Sequence, residues 1–111
     1  MRNTILNFVK GKKYITFVDL EHLFKEHGID YKGDYGLCSS PEYEHILYWT
    51  GWNKEAIDLI SSLGKEGLIY YSLGDNLSYL IDGGVLNLPI AKKIYHYKTD
   101  HWLPVFINGK N

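Results

Sequence analysis

Five histidines, thirteen carboxylates and one cysteine are the groups in this chain that could build a catalytic or metal site, and their spacing builds neither. His22 and His27 stand five apart in a helix-patterned segment, which turns their rings away from each other, and His96 and His101 fall across the end of an expected strand. Cys38 sits in a turn-rich stretch with His45 seven residues on, but no third group or oxyanion donor completes a thiol site. A single cysteine also excludes an internal disulfide and a cysteine-based zinc site, and fits a reducing, cytoplasmic setting. The glycine pairs do not lie between a strand and a helix, as a phosphate-cradling loop requires. These residues point away from an enzyme and call for no metal and no cofactor.

Tyrosine carries the remaining chemistry. The chain has 10 Tyr against 4 Phe and 3 Trp, so rings bearing a hydroxyl are supplied beyond what core volume alone asks for. Single-stranded nucleic acid exposes the faces of its bases, and stacking on an aromatic ring is worth about 1–3 kcal/mol per base whatever the base. Tyr suits that task because its hydroxyl keeps an exposed ring solvated and can bond a phosphate or a base edge. The candidates are Tyr31 and Tyr35 in a loop, Tyr43 and Tyr48 on an expected third helix, and Tyr70, Tyr71 and Tyr79 on an expected hairpin. Tyr70 and Tyr71 are successive and must point to opposite faces of a strand. Lys12, Lys13, Lys32 and Lys54 are the phosphate partners, whereas Trp49, Trp52 and Trp102 are assigned to packing. Tyr is equally a strand and core residue, and protein-binding surfaces are rich in it, so a partner-docking adaptor competes with the nucleic-acid reading.

The elements that must position these rings are those of one domain, 1–111. Ile5, Leu6 and Val9 form a stripe behind an Asn3 cap, giving a first helix that Gly11 ends. Thr16 caps a second helix, with Asp19 at the capping-box position, Phe17, Leu20, Leu23 and Phe24 on one face, and Gly28 as the stop. Residues 29–40 read as loop, and Ser40-Pro41 opens a third helix to about Trp49. After Thr50-Gly51-Trp52, Asn53 caps a fourth helix with Ala56, Ile57, Ile60 and Leu63 inward and Gly67 just past its end. That pair has helix-turn-helix spacing. Leu68–Leu73 and Leu77–Ile81 around Gly74-Asp75-Asn76 read as a β-hairpin, Val85–Leu88 as a further strand, and Pro89–Lys93 as a turn of helix. Ile94–Tyr97 reads as a strand and Leu103–Ile107 as an edge strand, because Pro104 cannot donate to a ladder. The expected class is α+β: a winged helix-turn-helix, with helices followed by a β-hairpin wing and short C-terminal strands.

Charge refines the ligand. The net charge of −1 hides basic ends, +4 over residues 1–13 and +3 over 89–111, around an acidic middle of −8. The fourth helix, where a duplex reader carries its basic side chains, holds Lys54 and Lys65 against Glu55, Asp58 and Glu66. Only one of the twelve cations is Arg, the residue suited to bidentate reading of guanine. A winged-helix regulator of duplex DNA is therefore the alternative rather than the leading reading. No apolar run approaches the roughly 20 residues needed to cross a bilayer, so no membrane partner is expected.

With "ILNFVKGKKYITFVDLEHLF", "PEYEHILYWTGWNKEAIDLISSLGKEGLIYY" and "LGDNLSYLIDGG" placed, the chain resembles, over its whole length, a small protein family encoded on staphylococcal cassette chromosome mobile elements. The resemblance implies a winged helix-turn-helix fold and binding of single-stranded DNA through a tyrosine-rich surface in place of a basic recognition helix. It further implies a role in replication of the element, with replication proteins of that element as possible partners.

Overall fold

The computed structural model describes residues 1–110. Helix α1 (Arg2–Val9) turns Ile5 and Val9 inward, one turn apart, and starts from Met1 instead of the expected Asn3 cap. Helix α2 (Phe17–Glu26) forms as its sequence predicts: Thr16 Oγ1 accepts from the Asp19 amide at 3.1 Å, and the Asp19 carboxylate accepts from the Thr16 amide at 3.0 Å. That reciprocal cap satisfies two amides that a helix start otherwise leaves orphaned. Its inward face carries Phe17, Leu20, Leu23 and Phe24, and Gly28 ends it at a φ of +65°.

The next segment departs from expectation. The stretch read as loop forms strand β1 (Lys32–Cys38), and the expected third helix is only a 3-10 turn (Pro41–Tyr43) followed by strand β2 (Ile46–Trp52). Ser40 makes no side-chain cap bond, so its helix-opening signal is spent within one turn. The sequence after it, ILYWTGW, is β-branched and aromatic and pairs antiparallel with β1. Trp49 and Trp52 are three apart and would face opposite sides of a regular strand. The register slips at Gly51, whose φ is +91°, and this bulge brings both indoles to the same side. Both indole N–H groups there donate to one oxygen of Glu21, each at 2.9 Å. No helix-turn-helix forms across 41–66, because helix α3 (Lys54–Lys65) leaves directly from a strand. Asn53 caps α3 as predicted, accepting from the Ala56 amide at 2.9 Å, and Ala56, Ile57, Ile60 and Leu63 are buried.

Strand β3 (Ile69–Leu73) is also as expected, but its partner is not 77–81. Asp75 is a cap and not part of a hairpin turn: its carboxylate accepts from the Ser78 amide at 2.7 Å and opens helix α4 (Asn76–Asp82), which Gly83 ends at a φ of +111°. Two long-range bonds hold α4 in place. The Tyr79 hydroxyl donates to the Val105 carbonyl at 2.6 Å, and the Thr16 hydroxyl donates to Asp82 at 2.6 Å. Residues 85–88 and 94–97 form no strand and 89–93 no helix; instead strand β4 (His101–Trp102) joins β2 in parallel. Strand β5 (Val105–Gly109) pairs antiparallel with β3, and Ile15 bonds Ile107 on the opposite edge at 2.7 and 2.9 Å. β5 is thus one strand of a two-stranded sheet, with only the isolated Ile15 bridge on its other side; Pro104 lies one residue before it and owes the ladder nothing.

The described residues form an α+β fold of four helices and two sheets, ordered β1-β2-β4 and β3-β5. Between them lies an aromatic core in which Phe17 stacks on Trp49, and Tyr79 packs against Trp49 and Trp102. Among the described residues no helix is long and apolar enough to cross a membrane.

Candidate nucleic-acid interface

Two of the seven candidate tyrosines have no face to offer. Tyr31 is 5% exposed and lies against Phe24 and Trp52; Tyr79 is fully buried on α4, and burial pushes its hydroxyl well above the ordinary phenol range. Both were expected at the surface because they were placed on a loop and a hairpin, and both belong to the core.

The strand ladder sorts the others. Both backbone groups of Ile107 are bonded to Ile15, so the β5 positions that bond β3 are Phe106 and Asn108. Tyr70 and Asn108 are directly opposite, as are Ser72 and Phe106, and directly opposed side chains share a face. The bonds agree: Asn108 Nδ2 donates to Ser72 Oγ at 3.0 Å and to the Tyr70 carbonyl at 3.3 Å. Tyr71 takes the inner face, half-buried, 4.8 Å from the half-buried Tyr48 ring and stacked on Phe17. Burial raises the hydroxyls of both Tyr48 and Tyr71 above the ordinary phenol range, so both remain neutral donors.

Tyr14 joins this outer face from the α1–α2 connection. Its φ of +61° is unusual for a residue with a bulky side chain, and Asn108 holds it there by accepting the Tyr14 amide at 2.9 Å. The Tyr14 ring meets the edge of Phe106 at 5.5 Å. Tyr14 is 67% exposed and Tyr70 39%, with Phe106 between exposed and buried. Lys12 and Lys13 precede Tyr14, both exposed, and the Lys12 carbonyl accepts from the Gly109 amide at 2.8 Å, which fastens the basic turn to the end of β5. The Lys12 ammonium lies 4.0 Å over the Phe8 ring. Of the residues on or beside this face, Tyr70, Lys12 and Lys13 were among the sequence candidates, and Tyr14 and Phe106 were not. The available signals were the Lys-Lys-Tyr run and the alternation of Val105, Phe106 and Ile107.

A cleft of about 500 Å³ opens beside this sheet, lined among others by Tyr48, Tyr70, Tyr71, Cys38, Ser39 and, at the end of α3, Lys65. The remaining candidates are dispersed. Tyr35 is 53% exposed on β1, opposite Trp52, and Lys32 is exposed on the same strand. Lys54 is paired with Asp58 one turn along α3, and Tyr43, in the 3-10 turn, stacks on His96 at 4.7 Å. Arg2 is held by Glu66 through two bonds of 2.8 and 3.0 Å, which raise the guanidinium and lower the carboxyl. Among the described residues no cluster of three His, Cys, Asp or Glu side chains could hold a metal ion.

A different surface lies on α4, where Leu77, Leu80 and Ile81 are exposed at i, i+3 and i+4 beside Val85. Sequence reasoning placed these residues on a strand and so missed their common face. No protein-family model, curated protein or solved structure matches this chain.

Proposed function

We propose that this chain is a binding protein for single-stranded DNA, with little sequence preference and no catalytic role, acting through the outer face of the β3–β5 sheet. The observation that carries this reading is the gathering of Tyr14, Tyr70 and Phe106 on one sheet face beside Lys12 and Lys13. Rings on a rigid strand pair can stack on successive bases, and two adjacent cations can neutralise phosphates between them. Duplex DNA hides its base faces, and the exposed side of α3 offers a groove no cationic surplus: Lys54 is paired with Asp58, Glu55 is exposed, and Glu66 at the helix end already engages Arg2. The resemblance to the staphylococcal cassette family points the same way and adds replication of a mobile element as the setting.

A winged-helix origin for the framework is supported by chain order. Helix, Ile15 bridge, helix, helix α3, β3 and β5 follow one another, with β5 between β3 and the single Ile15 bridge, once β1 and β2 are read as an insertion between the second and third helices. On this reading the wing is the long excursion 74–104 between β3 and β5, and not a tight turn at 74–76.

A labelled oligo-dT competed with unlabelled single-stranded and duplex oligonucleotides tests the proposal. Displacement by the single strand at concentrations at least tenfold below the duplex is expected; equal or better displacement by duplex would overturn it. The second reading, a protein-docking adaptor, is favoured by the apolar face of α4 alone. Absence of oligonucleotide binding at low salt, with Leu80→Asp abolishing a protein complex, is the outcome that would replace the first reading by the second.

A further inference from the structure

Residues 92–101, KKIYHYKTDH, carry three lysines, four rings and one acid, and they form no helix and only the first residue of a strand. Their rings contribute little to the core. Ile94, Tyr95 and His96 are exposed, and the segment is tied down through the His101 amide to the His45 carbonyl at 2.7 Å and through stacks at its rim. Those stacks are Tyr43 on His96 at 4.7 Å and Tyr97 on His101 at 3.8 Å, with Tyr95 set edge-on to Tyr97 at 5.2 Å. The one acid, Asp100, is engaged by His45 Nδ1 at 2.7 Å. Lys92, Lys93 and Lys98 remain exposed, the Lys93 ammonium lying 4.7 Å over the Tyr95 ring. Exposed apolar and aromatic side chains carry a solubility cost that core packing does not explain here.

Resting on the single-strand reading above, we infer that residues 92–98 are a second contact site for single-stranded DNA, with Lys92, Lys93 and Lys98 on phosphates and Tyr95 and His96 under bases. The orientation follows from charge. Glu42 and Glu44 border the depression shared by Tyr43, His45, His96 and Tyr97, so the backbone of the strand runs on the lysine side and the bases turn toward the rings. The sequence showed the basic C-terminal end but read Ile94–Tyr97 as a strand, which would have hidden half of these side chains.

The test is the salt dependence of oligo-dT binding by the full chain, measured by anisotropy for the parent and for Lys92→Gln/Lys93→Gln/Lys98→Gln. Single strands lose about 0.7 in slope per neutralised phosphate, so contact through Lys12 and Lys13 alone gives a slope near −1.4, and both sites together near −3.5. The triple variant is expected to fall from the steeper to the shallower value and to bind about 10- to 100-fold more weakly at low salt. Tyr95→Ala is expected to weaken binding roughly tenfold at an unchanged slope. A parent slope already near −1.4 that the triple variant leaves unchanged would overturn this site while leaving the sheet-face reading intact. Failure of the parent to bind oligo-dT at all would remove both.

Discussion

The aromatic rings of this protein fall into two populations that differ less in type than in how their polar atoms are engaged. In the core, the indoles of Trp49 and Trp52 share a Glu21 oxygen, Trp102 donates to the Tyr48 carbonyl, and the Tyr79 hydroxyl is spent on Val105. On the outer sheet face, Tyr14 and Tyr70 are exposed, Lys12 and Lys13 precede Tyr14, and the polar partner of that face, Asn108, bonds backbone and Ser72 instead of either phenol. A buried ring must satisfy its polar tip internally, because an unmet donor there costs about 1–3 kcal/mol. An exposed ring has no such obligation and can offer both its face and its tip to a ligand.

Substitutions that separate stability from binding sharpen that contrast. Trp52→Ala removes a fully buried indole that touches Phe17, Phe24 and Tyr31, and about 3–5 kcal/mol of stability should be lost in a urea titration. Tyr79→Phe keeps the ring but leaves the Val105 carbonyl without its donor, a loss of about 1–3 kcal/mol by the same measurement. Asp75→Ala removes the α4 cap at about 1 kcal/mol, with no effect on oligonucleotide affinity expected if the α4 face is not the binding surface. If these core changes weakened binding while leaving stability untouched, the two populations would not be distinct.

The smallest effect concerns pH. Asp19 is held above the ordinary carboxyl range, first by burial and then by the neighbouring Asp82, while its bonds to Thr16 work in the opposite direction. Its native form therefore binds a proton more readily than the unfolded chain does, and its contribution to stability falls as pH rises from the ordinary carboxyl pKa through the raised native one. Asp82→Asn keeps an acceptor for the Thr16 hydroxyl and removes the like charge. It should be more stable than the parent near neutrality by no more than about 0.5–1 kcal/mol, since both carboxyls are partly solvated. That advantage should shrink on acidification, as read from thermal midpoints between pH 4 and 7.

Local signals carried far in this sequence where one residue sets the geometry. The Thr16 and Asn53 caps, the Gly28 and Gly67 stops, the inward faces of α2 and α3, and the packing roles of three tryptophans all follow from side chains bonding or burying within a turn or two. The failures share a cause. Ser40-Pro41 and Asp75-Asn76 are each compatible with two structures, and distant partners decide: β1 captures 46–52 as a strand, whereas Val105 and Thr16 anchor Tyr79 and Asp82 and make 76–82 a helix. Those two inversions misplaced Tyr43, Tyr48 and Tyr79: the first lies in a 3-10 turn, the second on a strand and the third in the core. The Lys-Lys-Tyr run hinted at Tyr14, but its place on the sheet face depends on a left-handed backbone held from 94 residues away by Asn108.

On the proposed function, rings on the outer sheet face bind and rings in the core do not. Its most direct test is the affinity of the Tyr14→Ala/Tyr70→Ala double variant for oligo-dT, measured beside its thermal midpoint. Loss of two stacking rings predicts a dissociation constant at least about 30-fold higher with the midpoint nearly unmoved. A double variant that binds as tightly as the parent would contradict the account.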